Sequence, residues 1–285
     1  MKIFSTIADL QNYLRENGQG LSLGFVPTMG ALHQGHLTLV EKALKASDIC
    51  LCSIFVNPTQ FNNSEDLENY PLQLEQDLKL LEEKGCDVVF TPSKEEVYPA
   101  EFIQKDYDFG LLDKVMEGLN RSGHFQGVAS VVSRLFDIVK PNKAFFGEKD
   151  FQQLAIIRAL TKIENRAIEI VPCPIIREED GLAMSSRNLL LSPEHRQIAP
   201  KIYHLLSQAK SLKDRLSVLE LKQWLAKEFQ KEALLELEYF EISDYQSLSP
   251  SVQWSDYQKH IICVAVFSGP VRLIDNIVLD FNLFN

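Results

Sequence analysis

The chain has 285 residues, of which 45% are hydrophobic and 24% are charged, and these values are ordinary for a globular protein. Its formal net charge of −10 at pH 7 argues against broad nucleic-acid binding, because an acidic surface repels a phosphate backbone. No run of apolar residues approaches the ~18 needed to cross a bilayer. The first ten residues lack the basic and apolar regions of a signal peptide, so we expect neither a membrane anchor nor secretion.

The five cysteines indicate a reducing compartment. Their number is odd and their spacing fits no disulfide framework, so we expect free thiols and a cytoplasmic protein. Cys50 and Cys52 alternate within an apolar segment, as cysteines of a protein core do.

Up to residue 176 the sequence alternates strand-like and helix-like segments. Buried strands are predicted at 21–26, 48–56, 87–90, 144–146 and 168–171, and helices at 37–46, 72–84, 128–139 and 151–163. Strands that alternate with helices form a parallel sheet, which binds ligands beyond the carboxyl ends of its strands. We therefore predict a Rossmann-like α/β domain over residues 1–176.

After residue 176 the pattern changes. Long helices are predicted at 193–213 and 218–233, and strands at 237–242, 260–267 and 272–280, with a turn at 268–270. Helices followed by strands give α+β character, so we predict a second, smaller domain over residues 177–285.

The segment PTMGALHQGH joins the first predicted strand to the next helix and carries His33 and His36. A spacing of three residues lets one helical turn place both imidazoles on the same side. The free N–H groups of a helix N-terminus would add to them, which favours a polyphosphate site. A purely structural role for either histidine is an alternative, and a zinc site with Cys50 and Cys52 is another. The chain has no Walker A motif, so an ATP site must be of another kind.

A second candidate segment is DGLAMSSRN, at residues 180–188. Its hydroxyls and N–H groups can hold phosphate oxygens, and Arg187 supplies a permanent, fork-shaped charge. Gly181 would allow the loop to move. A solvated loop with a helix cap is the alternative.

Three further groups of polar residues follow predicted strands or precede a helix. Lys149 can neutralise phosphate charge, while Asp150 beside it suits a helix N-cap. Asn57 stands before a proline and suits a turn, whereas Gln60 has no comparable turn role. Arg121 and His124 are candidates to bind a phosphate or a carboxylate.

Taken together, these motifs carry a family resemblance. The two-histidine segment resembles the HxGH signature of a nucleotidyltransferase superfamily, and MSSR resembles its KMSKS-type loop. With FVNPTQF, GHFQGV, FGEKDFQQL and a further match at VRLIDN (271–276), the sequence resembles the pantoate–β-alanine ligase family. Departures from that pattern are Ser122, Ser130 and Arg134, where proline, threonine and lysine are common.

The resemblance implies a Rossmann-like N-terminal domain, a C-terminal lid and a homodimer. It also implies a two-step reaction. The carboxylate of (R)-pantoate attacks the α-phosphate of ATP and releases pyrophosphate, and β-alanine then displaces AMP from the pantoyl adenylate. Magnesium would accompany the ATP. Such an enzyme needs no protein nucleophile, in keeping with the absence of any serine–histidine–acid pattern in the candidate segments.

The resemblance also transfers roles residue by residue. The ATP contacts would be Met29, Gly30, Ala31, Leu32, His33, Gln34, Gly35, His36, Gly147, Glu148, Lys149, Asp150, Ile176, Met184, Ser185, Ser186 and Arg187. Of these, the catalytic residues would be His36, His33, Lys149 and Arg187. Pantoate would bind Gln60 and Gln153, with Gln60 also reaching β-alanine, and the further substrate-binding candidates are Asn57, Arg121 and His124. Asp77 would lie near the magnesium.

Two other functions stay open at this point. Another nucleotidyltransferase of the superfamily would share the two phosphate-binding segments, but it would lack the paired Gln60 and Gln153. A catalytically silent nucleotide-binding or scaffold protein would keep the fold without the reaction.

Overall fold

The computed structural model describes residues 1–61, 67–68, 70–255 and 259–281. The chain divides into two compact units. The first unit comprises residues 1–109, 121–148 and 153–174, and the second comprises 110–120, 149–152 and 175–285. The second unit thus takes in two short segments that precede the predicted boundary at residue 176. Hydrogen bonds made by Gln152 and Asn276 explain their membership, as described below.

A six-stranded parallel sheet forms the first unit. Its strands are β1 (Lys2–Phe4), β2 (Leu23–Thr28), β3 (Ile49–Ile54), β4 (Val88–Phe90), β5 (Lys143–Gly147) and β6 (Glu169–Cys173). Their order across the sheet is β1-β4-β3-β2-β5-β6. From β2, the chain adds β3 and then β4 on one side of the sheet, and it then returns to place β5 on the other side of β2. Ligands of such sheets bind beyond the strand ends at this reversal, between β2 and β5.

The helices up to residue 163 follow the predicted alternation. They are α1 (Ile7–Asn17), α2 (Gln34–Ala46), α3 (Leu74–Glu83), α4 (Lys94–Val97), α5 (Met116–Asn120), α6 (His124–Val139) and α7 (Phe151–Ile163). The parallel sheet and its helices confirm the predicted fold class. The sequence prediction missed β1, α1, α4 and α5. β1 has only three residues, and Leu10 is the only buried residue of α1. α4 and α5 have only four and five residues, too few to show a helical period.

The central strands are apolar on both faces, as a sheet covered by helices requires. In β3, Cys50, Leu51 and Cys52 are all fully buried. All five cysteines are buried free thiols. No group of three or more His, Cys, Asp or Glu side chains among the described residues is arranged to hold a metal ion.

The second unit contains a three-stranded antiparallel sheet in the order β7-β8-β9. Its strands are β7 (Glu236–Asp244), β8 (His260–Ser268) and β9 (Val271–Leu279), and its later helices are α8 (Pro193–Ile198), α9 (Lys201–Leu212) and α10 (Val218–Phe229). The single helix predicted at 193–213 is therefore wrong. The chain breaks it between α8 and α9, at Ala199 and Pro200, because proline has no N–H to continue the helical hydrogen bonds. In the part of the chain that is described, no helix combines the length and apolarity that a membrane span requires.

Candidate active site

The loop after β2 has a fixed and unusual backbone. Gly30 has φ +84° and Ala31 has φ +50°, both in the left-handed region. A Cβ on Gly30 would lie 2.9 Å from Asp77 Oδ2, so the position requires glycine. The N–H groups of Ala31 and Leu32 donate to the two Asp77 oxygens at 2.9 and 2.7 Å. Asp77, on α3, thus fixes the shape of the loop that leads into α2.

His33 and His36 lie at the start of α2. His33 is the N-cap residue, and its Nδ1 accepts a hydrogen bond from the N–H of Gly35 at 3.1 Å. The His36 Nδ1 accepts one from the N–H of His33 at 3.4 Å. The ring centroids are 4.1 Å apart, so both imidazoles stand on the same side, as their spacing predicts.

These bonds determine which nitrogen of each neutral ring carries the proton. Since Nδ1 accepts in both rings, the proton belongs on Nε2 in both. Two Nε2–H groups and a helix N-terminus then occur together at the carboxyl end of β2. That is a set of donors suited to phosphate oxygens.

Asp77 is almost fully buried, with 1% of its surface exposed. Burial raises the pKa of its carboxyl, and the hydrogen bonds from Leu32 and Ala31 oppose that rise. The described contacts give the carboxylate a role in holding the loop. Its transferred role near magnesium stays a prediction.

Asn57 and Gln60 lie in the turn after β3, where Pro58–Gln60 forms a single 3₁₀ turn. Asn57 is 1% exposed. Its Oδ1 accepts from the Thr59 N–H and from the Tyr98 hydroxyl, while its Nδ2 donates to the Gly127 carbonyl. Asn57 therefore holds the turn, as its place before a proline predicts, and its contact with a substrate stays a prediction.

Gln60 is half-buried beside the first loop. Its Nε2 donates to Met29 Sδ at 2.8 Å, and its Oε1 accepts from Asn57 at 3.3 Å. The structure thus brings Gln60 together with Met29, one of the predicted ATP contacts.

Arg121 and His124 reach the same turn from the start of α6. His124 Nδ1 donates to the Gln60 carbonyl at 2.8 Å, so its Nε2 accepts from Arg121 at 3.2 Å. A Cβ on Gly127 would lie 2.3 Å from the Thr59 carbonyl oxygen. The glycine of the GHFQGV motif therefore lets α6 approach the turn that holds Gln60.

The segment after β5 is a 3₁₀ turn, Glu148–Asp150, followed directly by α7. Gln152 lies in the first turn of α7 and is buried, so it does not face water. Its amide is buried and bonds to the backbone of Leu112, Val115 and Glu117 at 2.7–3.0 Å. The next residue, Gln153, is one of the two predicted pantoate contacts and is half-buried.

The loop that carries Met184–Arg187 lies in the second unit and closes on itself. The Met184 N–H donates to the Ile176 carbonyl at 2.9 Å. A single β-bridge pairs Arg177 with Ala183. Ser185 caps the 3₁₀ turn Ser186–Leu190 by accepting from the N–H of Arg187. The predicted ATP contacts Ile176 and Met184 are therefore neighbours.

The candidate residues divide between the two units. The first unit holds those from Met29 to His36, together with Asn57, Gln60, Asp77, Arg121, His124, Gly147, Glu148 and Gln153. The second unit holds Lys149, Asp150, Ile176 and Met184–Arg187. Within the second unit, sequence reasoning missed Arg177, Asp275 and Asn276, which connect Lys149 to the MSSR loop. The VRLIDN match contained the only signal for the last two.

Comparisons with known proteins identify the family of this chain. The profile of the family "Pantoate-beta-alanine ligase" matches residues 2–278. A pantothenate synthetase of Porphyromonas gingivalis is 49% identical over 97% of this chain and 99% of its own length. One of Bacteroides fragilis is 48% identical over 97% of this chain and 98% of its own length.

Solved structures give the same result. The pantothenate synthetase of Thermus thermophilus superposes with a TM-score of 0.91 at 42% identity, covering 97% of this chain and 99% of that one. A pantoate–β-alanine ligase of Francisella tularensis, in complex with "Beta-gamma ATP" and β-alanine, has a TM-score of 0.82 at 36% identity. It covers 98% of this chain and 97% of that one. This chain therefore belongs to the pantoate–β-alanine ligase family.

Proposed function

We propose that the chain joins (R)-pantoate to β-alanine with ATP, through a pantoyl adenylate, and releases AMP and pyrophosphate. The observation that carries the proposal is the pair of Nε2–H donors at the N-terminus of α2, since both Nδ1 atoms already accept backbone N–H groups. Family membership supports the two joined substrates. The Francisella relative, crystallised with an ATP ligand and β-alanine, supports two of the three reactants.

In the first step, a carboxylate oxygen of pantoate forms a bond to the α-phosphorus of ATP, and the bond to pyrophosphate breaks. Negative charge is redistributed over the phosphate oxygens, so catalysis requires fixed donors around them. His33 and His36 would donate from Nε2. Lys149 and Arg187 would add positive charge.

In the second step, the uncharged amine of β-alanine attacks the acyl carbon of the adenylate. The carbon–oxygen bond to AMP breaks, and the nitrogen loses a proton. No protein nucleophile is required, because the substrate carboxylate has already been activated. Gln60 and Gln153 would hold pantoate, and Gln60 would also meet β-alanine.

Magnesium would bind with the ATP phosphates and neutralise part of their charge. Asp77 fits such an ion only in part. Each of its oxygens keeps a lone pair beyond the N–H bond it accepts, but the side chain is 1% exposed and already holds the loop.

A cytoplasmic homodimer completes the proposal. The five free thiols support a reducing compartment. The dimer follows from the family resemblance, and light scattering of the purified chain would test it by giving twice the chain mass.

The decisive assay supplies ATP, magnesium, pantoate and β-alanine, and then omits each in turn. AMP and pyrophosphate should accumulate only with the full set. Replacing pantoate by other hydroxy acids provides the substrate control. No AMP above background with the full set would refute the proposal, and AMP formation that ignores β-alanine would favour another nucleotidyltransferase reaction.

Gln60→Ala tests the substrate side of the site. Loss of a hydrogen bond to a charged carboxylate should weaken pantoate binding by on the order of tenfold, and ATP binding should change much less. Isothermal titration of each ligand would measure both. Equal losses for the two ligands would make Gln60 a structural residue.

A further inference from the structure

Arg177 lies next to the predicted ATP contact Ile176, but its side chain points to another part of the second unit. It makes a two-pronged ion pair with Asp275 on β9, at 2.7 and 2.9 Å. Its guanidinium also donates to the Gly181 carbonyl at 3.1 Å and stacks 3.6 Å above the Tyr203 ring. Arg177 therefore ties the base of the MSSR loop to β9.

The loop has little freedom at the point where Arg177 holds it. Gly181 has φ +93°, and a Cβ there would lie 2.7 Å from the Tyr203 ring. Tyr203 thus contacts both the glycine and the arginine. The turn between Arg177 and Ala183 is therefore held by the Tyr203 ring and by the Arg177–Asp275 ion pair.

Asn276, the next residue on β9, extends the connection to Lys149. Its Nδ2 donates to the Lys149 carbonyl at 3.0 Å, while its own N–H donates to Asp275 Oδ1 at 2.7 Å. Two adjacent residues of β9 thus hold the two segments of the second unit that are predicted to contact ATP. Asp275 holds the MSSR loop through Arg177, and Asn276 holds Lys149.

Asp275 also stands in the electric field of Lys149. The Asp275 side chain is 4% exposed. Burial raises the pKa of its carboxyl, while Arg177, the Asn276 N–H and the positive charge of Lys149 oppose the rise. An ion pair this deeply buried contributes little net stability, because desolvation offsets the attraction between the charges. The pair instead fixes the position of the Arg177 side chain relative to β9.

We propose that Arg177, Asp275 and Asn276 form a positioning unit that holds Lys149 and the Met184–Arg187 loop in one arrangement for the phosphates of ATP. The proposal rests on the proposed function, and it gives the VRLIDN motif a role in ATP binding. None of the three residues is required to touch ATP. They act through the segments that they hold.

Asp275→Asn is the primary test, because it keeps the shape of the side chain and removes the charge. Misplacing charge-stabilising groups by about 1 Å can cost on the order of 10² in rate, so kcat should fall by about that factor. The affinity for ATP, titrated directly, should fall by on the order of tenfold. The KM values for pantoate and β-alanine should change by less than about twofold, because the residues predicted to hold them lie elsewhere.

Glu238→Gln provides the matched control. Glu238, on β7, pairs at 2.5 Å with Arg272, which lies on the same strand as Asp275. None of the hydrogen bonds described for these two side chains reaches Lys149 or the MSSR loop. The control loses the same charge from the same sheet. Its kcat and its affinity for ATP should stay within about twofold of the wild type.

Asn276→Ala keeps the test valid if Asp275→Asn does not fold. It leaves the Arg177–Asp275 pair intact and removes the bond to Lys149, so thermal unfolding should change little while the affinity for ATP falls severalfold. Unchanged ATP affinity in a folded Asp275→Asn or Asn276→Ala variant would overturn the proposal. Equal losses in Asp275→Asn and Glu238→Gln would also overturn it. ATP titration needs no pantoate, so wild-type chain that binds ATP without making AMP would refute the proposed function alone.

Discussion

Two loops of this molecule carry its predicted phosphate contacts, and a buried carboxylate anchors each loop in a different way. In the first unit, Asp77 accepts hydrogen bonds directly from the N–H groups of Ala31 and Leu32, which lie 46 and 45 residues before it in the chain. In the second unit, Asp275 holds its loop through the side chain of Arg177, 98 residues away.

The two carboxylates differ in the property on which their anchoring role depends. Asp77 fixes backbone atoms, so its contribution depends on having two acceptor oxygens in place. Asp275 fixes a charged side chain, so its contribution depends on charge balance as well as shape. Substitution by asparagine therefore removes an acceptor at one site and breaks an ion pair at the other.

The largest expected effect lies in the first loop itself. His36→Ala removes a donor that we propose acts on the phosphates, and it should lower the rate of adenylate formation by on the order of 10²–10³. Pantoate-dependent exchange of pyrophosphate into ATP would measure that step. The exposed His204, on α9, is the control, and His204→Ala should leave the rate unchanged.

A second variant separates catalysis from capping at this position. His36→Asn keeps a side-chain acceptor for the N–H of His33, but it is too short to reach the position of Nε2. It should be as inactive as His36→Ala. Near wild-type exchange by either variant would show that His36 does not act on phosphate.

Asp77→Asn is the next largest change. The new amide turns an N–H donor toward one of the two loop N–H groups, so we expect a loss of about 1–3 kcal/mol in the free energy of unfolding. The rate should fall by on the order of tenfold, because the loop shifts relative to the histidines. Chemical unfolding and steady-state kinetics would measure the two losses.

The exposed Glu83 on the same helix is the control for that variant. Its ion pair with Lys79 is solvent-exposed, so Glu83→Gln should change the unfolding free energy by less than about 0.5 kcal/mol. If Asp77→Asn behaved like Glu83→Gln, the carboxylate would not be what fixes the first loop.

The smallest expected effect on activity belongs to Glu164, a partly buried carboxylate whose described partners lie outside both loops. Burial opposes the ionisation of Glu164, but hydrogen bonds from Arg166, Lys105, Ser133 and Tyr107 outweigh it and lower the pKa of this carboxyl to about 2. The unfolded chain therefore binds a proton at a higher pH than the folded chain does. Stability from Glu164 is present above its ordinary pKa and is lost as the pH falls toward 2.

Glu164→Gln should remove this pH dependence. The wild type should lose about 3 kcal/mol of unfolding free energy between about pH 4.5 and 2 through this group, and the variant should show a flatter profile there. Its kcat at neutral pH should stay within about twofold of the wild type. A profile that stays as steep in the variant would assign the acid sensitivity to other carboxyls.

Much of the fold could be predicted from the sequence, because strands and helices of the first unit differ clearly in hydrophobic periodicity. The segments that were missed or wrong have local causes. β1 is too short to show a pattern, and the break at Pro200 lies inside an otherwise helical stretch of apolar spacing.

Less of the candidate site than of the fold could be predicted from the sequence. The adjacent rings of His33 and His36 follow from a local spacing, and the sequence predicted that they lie on the same side. The roles of Gln152 and Asp275 depend on partners far along the chain, and no periodicity reports such contacts. Periodicity predicted the strand that contains Asp275, but only the VRLIDN match pointed to this residue, and the match gave no reason for its role.

The central claim is that a carboxylate oxygen of pantoate becomes bonded to the α-phosphorus of ATP. The most direct measurement supplies pantoate labelled with oxygen-18 in its carboxylate, together with ATP, magnesium and β-alanine, and analyses the products by mass spectrometry. The account predicts AMP that carries one labelled oxygen, and pantothenate that keeps the other. Unlabelled AMP, or label in released phosphate together with ADP, would contradict it.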